Sequence, residues 1–127
     1  MPHPLPSPQA PHLLAGFAMG FGLLTILSGG RALFAGADMG QIVPFVLWFN
    51  FLAGFAYVAA GLALWRGLSW GLPLAVVIAV ATALVFAAFG WHVAQGGPYE
   101  MRTVWAMTLR TGFWVVAALW LMRRAKT

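Results

Sequence analysis

Four apolar stretches, near residues 13–30, 42–65, 71–93 and 98–122, take up most of this 127-residue chain. A bilayer's hydrocarbon core, ~30 Å thick, is crossed by about 20 consecutive apolar residues in a helix. In lipid every backbone N–H and C=O needs a partner inside its own segment, so such stretches must be helical. A soluble helical domain would need a polar surface, and the residues for one are missing. Only 7% of the chain is charged and 62% is hydrophobic, against roughly 25% charged in an ordinary soluble domain. The expected fold class is all-α: an integral membrane four-helix bundle, one domain over residues 13–127.

Residues 1–12 read differently. Pro2, Pro4, Pro6, Pro8 and Pro11 remove amide donors and favour extended backbone, so this segment is expected to be a disordered tail. The first span is read as a retained helix rather than a cleaved leader, because the tail has no Lys or Arg. The later connections are short. Arg66 through Trp70 joins the second and third spans. Ala94 through Gly97 leads to Pro98, which suits a first helical position because its missing N–H would be unpaired there anyway. That places Glu100 in the first turn, where the helix dipole favours an acid.

Charge sets an orientation. Four spans put both termini on one side, together with Arg66, Arg123, Arg124 and Lys126. The other side carries Arg31 and Arg102 with the two acids, Asp38 and Glu100. Cytoplasmic loops are the Lys/Arg-rich ones, so both termini are expected in the cytoplasm, in a multi-pass protein of the cell inner membrane. Trp65, Trp70 and Trp120 fall at the inner ends and Trp91 and Trp105 at the outer ends, as interfacial belts require. The net charge of +5 comes from scattered residues and forms no basic stripe, which speaks against nucleic acid as a partner.

Each span carries a stripe at helical spacing: Ala18, Gly22, Thr25 and Gly29 in the first, and Asn50, Gly54, Tyr57 and Gly61 in the second. The third has Ala75, Ala79, Ala83 and Ala87; the fourth has Thr103, Met107, Arg110, Trp114 and Ala117. Small residues let membrane helices approach closely, so these stripes are expected to face the bundle. Gly16 and Gly20 form a second glycine face, available for a homodimer or a partner membrane subunit.

The polar members of the stripes mark a candidate site. Counted from the outer boundary at about 1.5 Å per residue, Thr25 lies ~6 Å deep, Asn50 ~12 Å and Arg110 ~10 Å. His92, Glu100 and Arg102 sit above them. An arginine at the centre of a membrane helix costs ~2.5–3.5 kcal/mol on insertion scales and marks a partner or a pathway. Two placements are open. Arg110 can snorkel to the headgroups, or it can face inward, pairing with Glu100 or Asp38 or binding an anionic or carbonyl-bearing ligand beside Asn50.

Other chemistry lacks its residues. With no cysteine there is no thiolate nucleophile, disulfide relay or iron–sulfur cluster. Apart from Glu100 at the outer end of the fourth, no Asp, Glu or Lys lies in any span, so the buried carboxylate of proton- or sodium-coupled transport is missing. A bis-histidine haem within one chain is excluded, because His12 and His92 fall at opposite membrane faces. No metal site and no catalytic residues are expected.

Two segments carry a family resemblance: Ile26-Leu27-Ser28-Gly29-Gly30-Arg31-Ala32-Leu33-Phe34, and Leu52 through Leu64 with Gly54 and Gly61. The first is similar to the Gly-x-x-Lys/Arg helix ending of DoxX-like small bacterial membrane proteins, the second to their Glu-x-x-x-Gly-x-x-Leu pattern. Tyr57 stands where that family's acid would precede Gly61 by four. The resemblance implies four helices and an accessory role in a redox or quinone-linked membrane complex, with a quinone as the conceivable cofactor. The residues themselves suggest an alternative, a small carrier or channel with an outward-facing site for an anion or polar solute around Arg110, Asn50 and Thr25.

Overall fold

A computed structural model describes residues 9–34 and 43–125. It contains four helices: α1 (Gln9–Phe34), α2 (Pro44–Trp65), α3 (Gly71–Ala94) and α4 (Met101–Ala125). All four are long and apolar enough to cross a membrane. Large side chains such as Leu27, Leu84, Trp105 and Val116 are 64–70% exposed on the outside of the bundle, an apolar surface that water does not tolerate over such an area.

The helices run up, down, up, down. One end holds the start of α1, the turn between α2 and α3, and the end of α4. There the His12 ring stacks on Trp65 at 4.4 Å, and its Nε2 donates to the Trp65 carbonyl at 3.2 Å. Both described connections close in the same way. Gly67 and Gly96 take left-handed φ values of 68° and 82°. Each lets the following amide reach back: Leu68 N–H to the Ala63 carbonyl, and Gly97 N–H to the His92 carbonyl. A glycine just past the helix end is the usual residue for that bond.

Packing between helices is uneven. α1 and α2 lie closest. A Cβ added to Gly22 would sit 2.7 Å from the Gly54 carbonyl oxygen, and one added to Gly61 2.7 Å from that of Ala15. The stripes expected on the first two spans therefore face each other. α3 packs against α2 and α4 through a core that contains Ala60, Ala75, Ile78, Ala79, Trp114, Ala117 and Leu121. A smaller core of Val43, Val46, Phe89 and Met107 fills the Arg102 end.

Several boundaries differ from the expectation. α1 begins at Gln9, inside the segment expected to be a tail. Pro11 is accommodated there because the first four amides of a helix have no intrahelical partner to lose. Residues 1–8 lie outside the described residues. At its other end α1 continues past Gly29 and Gly30 to Phe34, whose ring packs edge-on against Trp48 and Phe51. α4 starts at Met101, not Pro98. Glu100 therefore flanks the helix instead of lying in its first turn, and its carbonyl accepts the Thr103 N–H at 3.0 Å. On α3 the alanine stripe holds only in part: Ala75 and Ala79 are buried, but Ala87 is exposed and Phe89 takes the inward position. Nothing comes within 4 Å of a Cβ placed on Gly20, whereas one on Gly16 would lie 3.9 Å from the Trp65 ring of α2.

Candidate functional site

Arg110 is carried inward by its own helix. It shares a face of α4 with Met107, Trp114 and Ala117, three residues at most 4% exposed, and the 3.6-residue period fixes that alignment. Its Nη1 donates to Thr25 Oγ1 at 2.8 Å and reaches Tyr57 Oη at 3.5 Å. Thr25 can accept because its own hydroxyl hydrogen goes to the Phe21 carbonyl, 2.8 Å away. The guanidinium carbon lies 5.0 Å from the Phe21 ring centre and 5.9 Å from that of Tyr57. Desolvated cation–π contacts contribute about 2 kcal/mol or more, and a hydrogen bond to a charged group about 1.5–3 kcal/mol. Together these offset the cost of holding an arginine at this depth. Arg110 is thus turned into the bundle, the inward of the two placements.

Its partners among the described residues are a hydroxyl and aromatic rings rather than a carboxylate. Glu100 does not pair with Arg110; it lies at the α3–α4 connection and has interactions of its own. Asp38, the other acid considered, lies outside the described residues. Among the described residues, no carboxylate reaches Arg110.

Above Arg110, between α1, α2 and α4, lies a cavity of about 260 Å³. Its polar lining is Thr25 and Ser28 from α1, Asn50 from α2, and Arg102, Thr103 and Arg110 from α4. Liquid water occupies about 30 Å³ per molecule, so the space holds roughly nine waters or a small molecule. Among the described residues its lining has two guanidiniums and no carboxylate, which favours negative charge inside. Two buried atoms among the lining residues have no hydrogen-bond partner, Arg110 Nε and Asn50 Oδ1. Buried polar groups are nearly always paired, and these two are exceptions.

Below Arg110 the bundle is filled. The Tyr57 and Trp114 rings pack at 5.0 Å, and both residues are fully buried. Trp114 Nε1, Thr82 Oγ1 and Thr111 Oγ1 are also buried without a partner, on side chains that do not line the cavity. The seam between α1 and α4 is bridged by Phe17 and Phe21 against Phe113, with ring centres 5.5 and 5.8 Å apart.

Of the six residues expected at the site, the fold brings four together: Arg110, Asn50, Thr25 and Arg102. His92 and Glu100 are not among the cavity's lining. His92 Nε2 donates to the Pro98 carbonyl at 2.9 Å and tightens the α3–α4 connection, beside a shallow depression shared with Phe45, Trp91 and Gln95. Ser28, Thr103, Phe21 and Tyr57 complete the Arg110 surroundings; Thr103 and Tyr57 belong to the stripes expected to face inward, but none of the four was expected at the site. Helical spacing carried the signal for two of them: Phe21 precedes Thr25 by four residues, and Ser28 follows it by three. Among the described residues, no group of three His, Asp or Glu could hold a metal ion.

No protein-family model, curated protein or solved structure matches this chain.

Proposed function

We propose that this is a multi-pass membrane protein that binds a small anionic or carbonyl-bearing molecule between α1, α2 and α4, held by Arg110. The observation that carries the reading is the inward arginine: a half-buried cation, facing a cavity, with no carboxylate reaching it among the described residues. Such a charge is costly unless something negative or strongly accepting completes it. Arg102 and Thr103 near the cavity's end support capture from that side. With both termini cytoplasmic, as the Lys/Arg distribution suggests, the cavity opens to the outer face of the inner membrane.

The packed layer of Tyr57 and Trp114 favours binding over passage, so an accessory subunit of a membrane complex fits better than a channel. A quinone head group is a second candidate, since its carbonyl oxygens are acceptors for Arg110. The reading is tested with purified protein in nanodiscs, titrated with phosphate, acetate and a short-chain quinone while the unfolding midpoint is followed. A saturable rise that Arg110→Gln abolishes is expected. Flat titrations with all three probes would overturn binding. Arg110-dependent uptake of a bound anion into liposomes would replace the accessory role with that of a carrier.

A further inference from the structure

The seam between α1 and α4 changes character along its length. Towards the His12 end it is floored by rings, Phe17 and Phe21 of α1 against Phe113 of α4. Towards the Arg102 end the facing residues are small. Thr25, Ser28 and Gly29 of α1 and Thr103 and Ala106 of α4 line the cavity there. The helical period sets Phe17, Phe21, Leu24 and Ser28 along one edge of α1, and Arg102, Ala106, Leu109 and Phe113 along one edge of α4. The bond from Arg110 to Thr25 brings the two edges to one level, with Leu24 and Leu109 next to it in sequence. Those leucines are 67% and 64% exposed, and Ser28 and Arg102 are exposed as well. The two edges therefore do not close over the arginine. They bound a groove that opens sideways, and in a membrane the groove faces acyl chains.

We infer that the ligand is an anionic, lipid-like amphiphile, its head in the cavity beside Arg110 and a hydrocarbon chain along the α1–α4 groove. The inference rests on the binding reading above and names the class of molecule and its route, sideways from the bilayer. Charge selects the head: among the described residues the cavity is lined by two guanidiniums and no carboxylate. On α4 that lining runs from Arg102 to Arg110, about 12 Å along the axis, so a head that enters near the interface reaches the arginine through polar company. Leu24, Leu109 and the Phe113 ring give the chain an apolar bed towards the bilayer centre. A water-borne anion gains nothing from a side opening lined by leucine and phenylalanine, where its charge is not solvated.

The chain contains no cysteine, so one introduced thiol carries one label. Leu24→Cys bears a small fluorophore that bromine quenches on contact. Leu84→Cys on α3, at a residue 66% exposed, is the reference. Both are placed in nanodiscs with rising amounts of phosphatidic acid brominated in mid-chain, or of phosphatidylcholine with the same chains and no net charge. Phosphatidic acid is expected to saturate quenching at position 24 at about tenfold lower content than at position 84, the worth of one hydrogen bond to a charged group. Phosphatidylcholine should quench the two positions alike. Arg110→Gln should remove the difference between them.

Equal quenching of both positions by phosphatidic acid, or a preference that Arg110→Gln leaves intact, would overturn the amphiphile. Phosphate titrated into phosphatidylcholine nanodiscs then decides the reading beneath it. An Arg110-dependent rise in the unfolding midpoint leaves a soluble anion as the ligand, and a flat response removes both. Should Leu24→Cys fail to fold, Leu109→Cys on the facing edge takes its place.

Discussion

Towards α2 the first helix presents Ala15, Gly22 and Gly29, and the backbones come so close that a single added carbon would touch a carbonyl oxygen. Towards α4 it presents Phe17, Phe21 and Thr25, and the gap is spanned by rings and by one arginine. Lipid gives helices no hydrophobic reason to associate, so a seam is held by close packing or by polar bonds. The glycine seam uses the first along Ala15 and Gly22, and borders the cavity only at Gly29. The aromatic seam keeps the helices apart, and that separation makes room for both a cavity and a charge. Structural strength and ligand space therefore lie on different faces of α1.

The largest effect should come from the close seam. In Gly61→Leu the new side chain would begin 2.5 Å from Met19 Cγ and 2.7 Å from the Ala15 carbonyl oxygen. Overpacking of this kind costs about 3 kcal/mol or more. The expected result is loss of the monodisperse peak in size-exclusion chromatography. A variant with the wild-type unfolding midpoint would break the contrast between the two seams.

Next comes Thr25→Val, which removes the strongest partner of Arg110 without changing shape. Losing a hydrogen bond to a charged group should lower stability by about 1.5–3 kcal/mol, read as a reduced unfolding midpoint. Arg110→Met should do less to stability. It removes an insertion cost of ~2.5–3.5 kcal/mol together with hydrogen-bond and ring contacts of similar size. The midpoint should stay within about 1 kcal/mol of wild type while anion binding vanishes. A large destabilisation would recast Arg110 as a structural pin. Smallest of all is Gly20→Ala, where the added carbon meets nothing within 4 Å. Its midpoint should move by less than about 0.5 kcal/mol, as surface substitutions do, whereas Gly22→Ala on the same helix should fall visibly.

How far the sequence could be read depended on range. Gly22 and Gly54 faced each other as their spacing suggested, and Met107, Arg110 and Trp114 shared one inward face. Those inferences use only the helical period. Ala87 failed because a stripe of small residues on a nearly uniform apolar helix has little to orient it, and Phe89 fills the inward space better. Pro98 failed because a good first-turn residue is equally at home in an extended connection. His92 and Glu100 were grouped with Arg110 by depth alone, which ignores the side of the bundle from which a residue points.

The sequence by itself determined that this chain makes four apolar helices and carries one arginine deep within them. Both follow from local rules, the backbone bonds a helix makes with itself and the scarcity of charge. Only the tertiary structure decided that Arg110 turns to Thr25 and Tyr57 and not to Glu100, and that its cavity opens beside α1 rather than α3. Those outcomes depend on how far apart neighbouring helices settle. Glycines on one seam and phenylalanines on the other set that distance, and it can be seen only once the helices are packed.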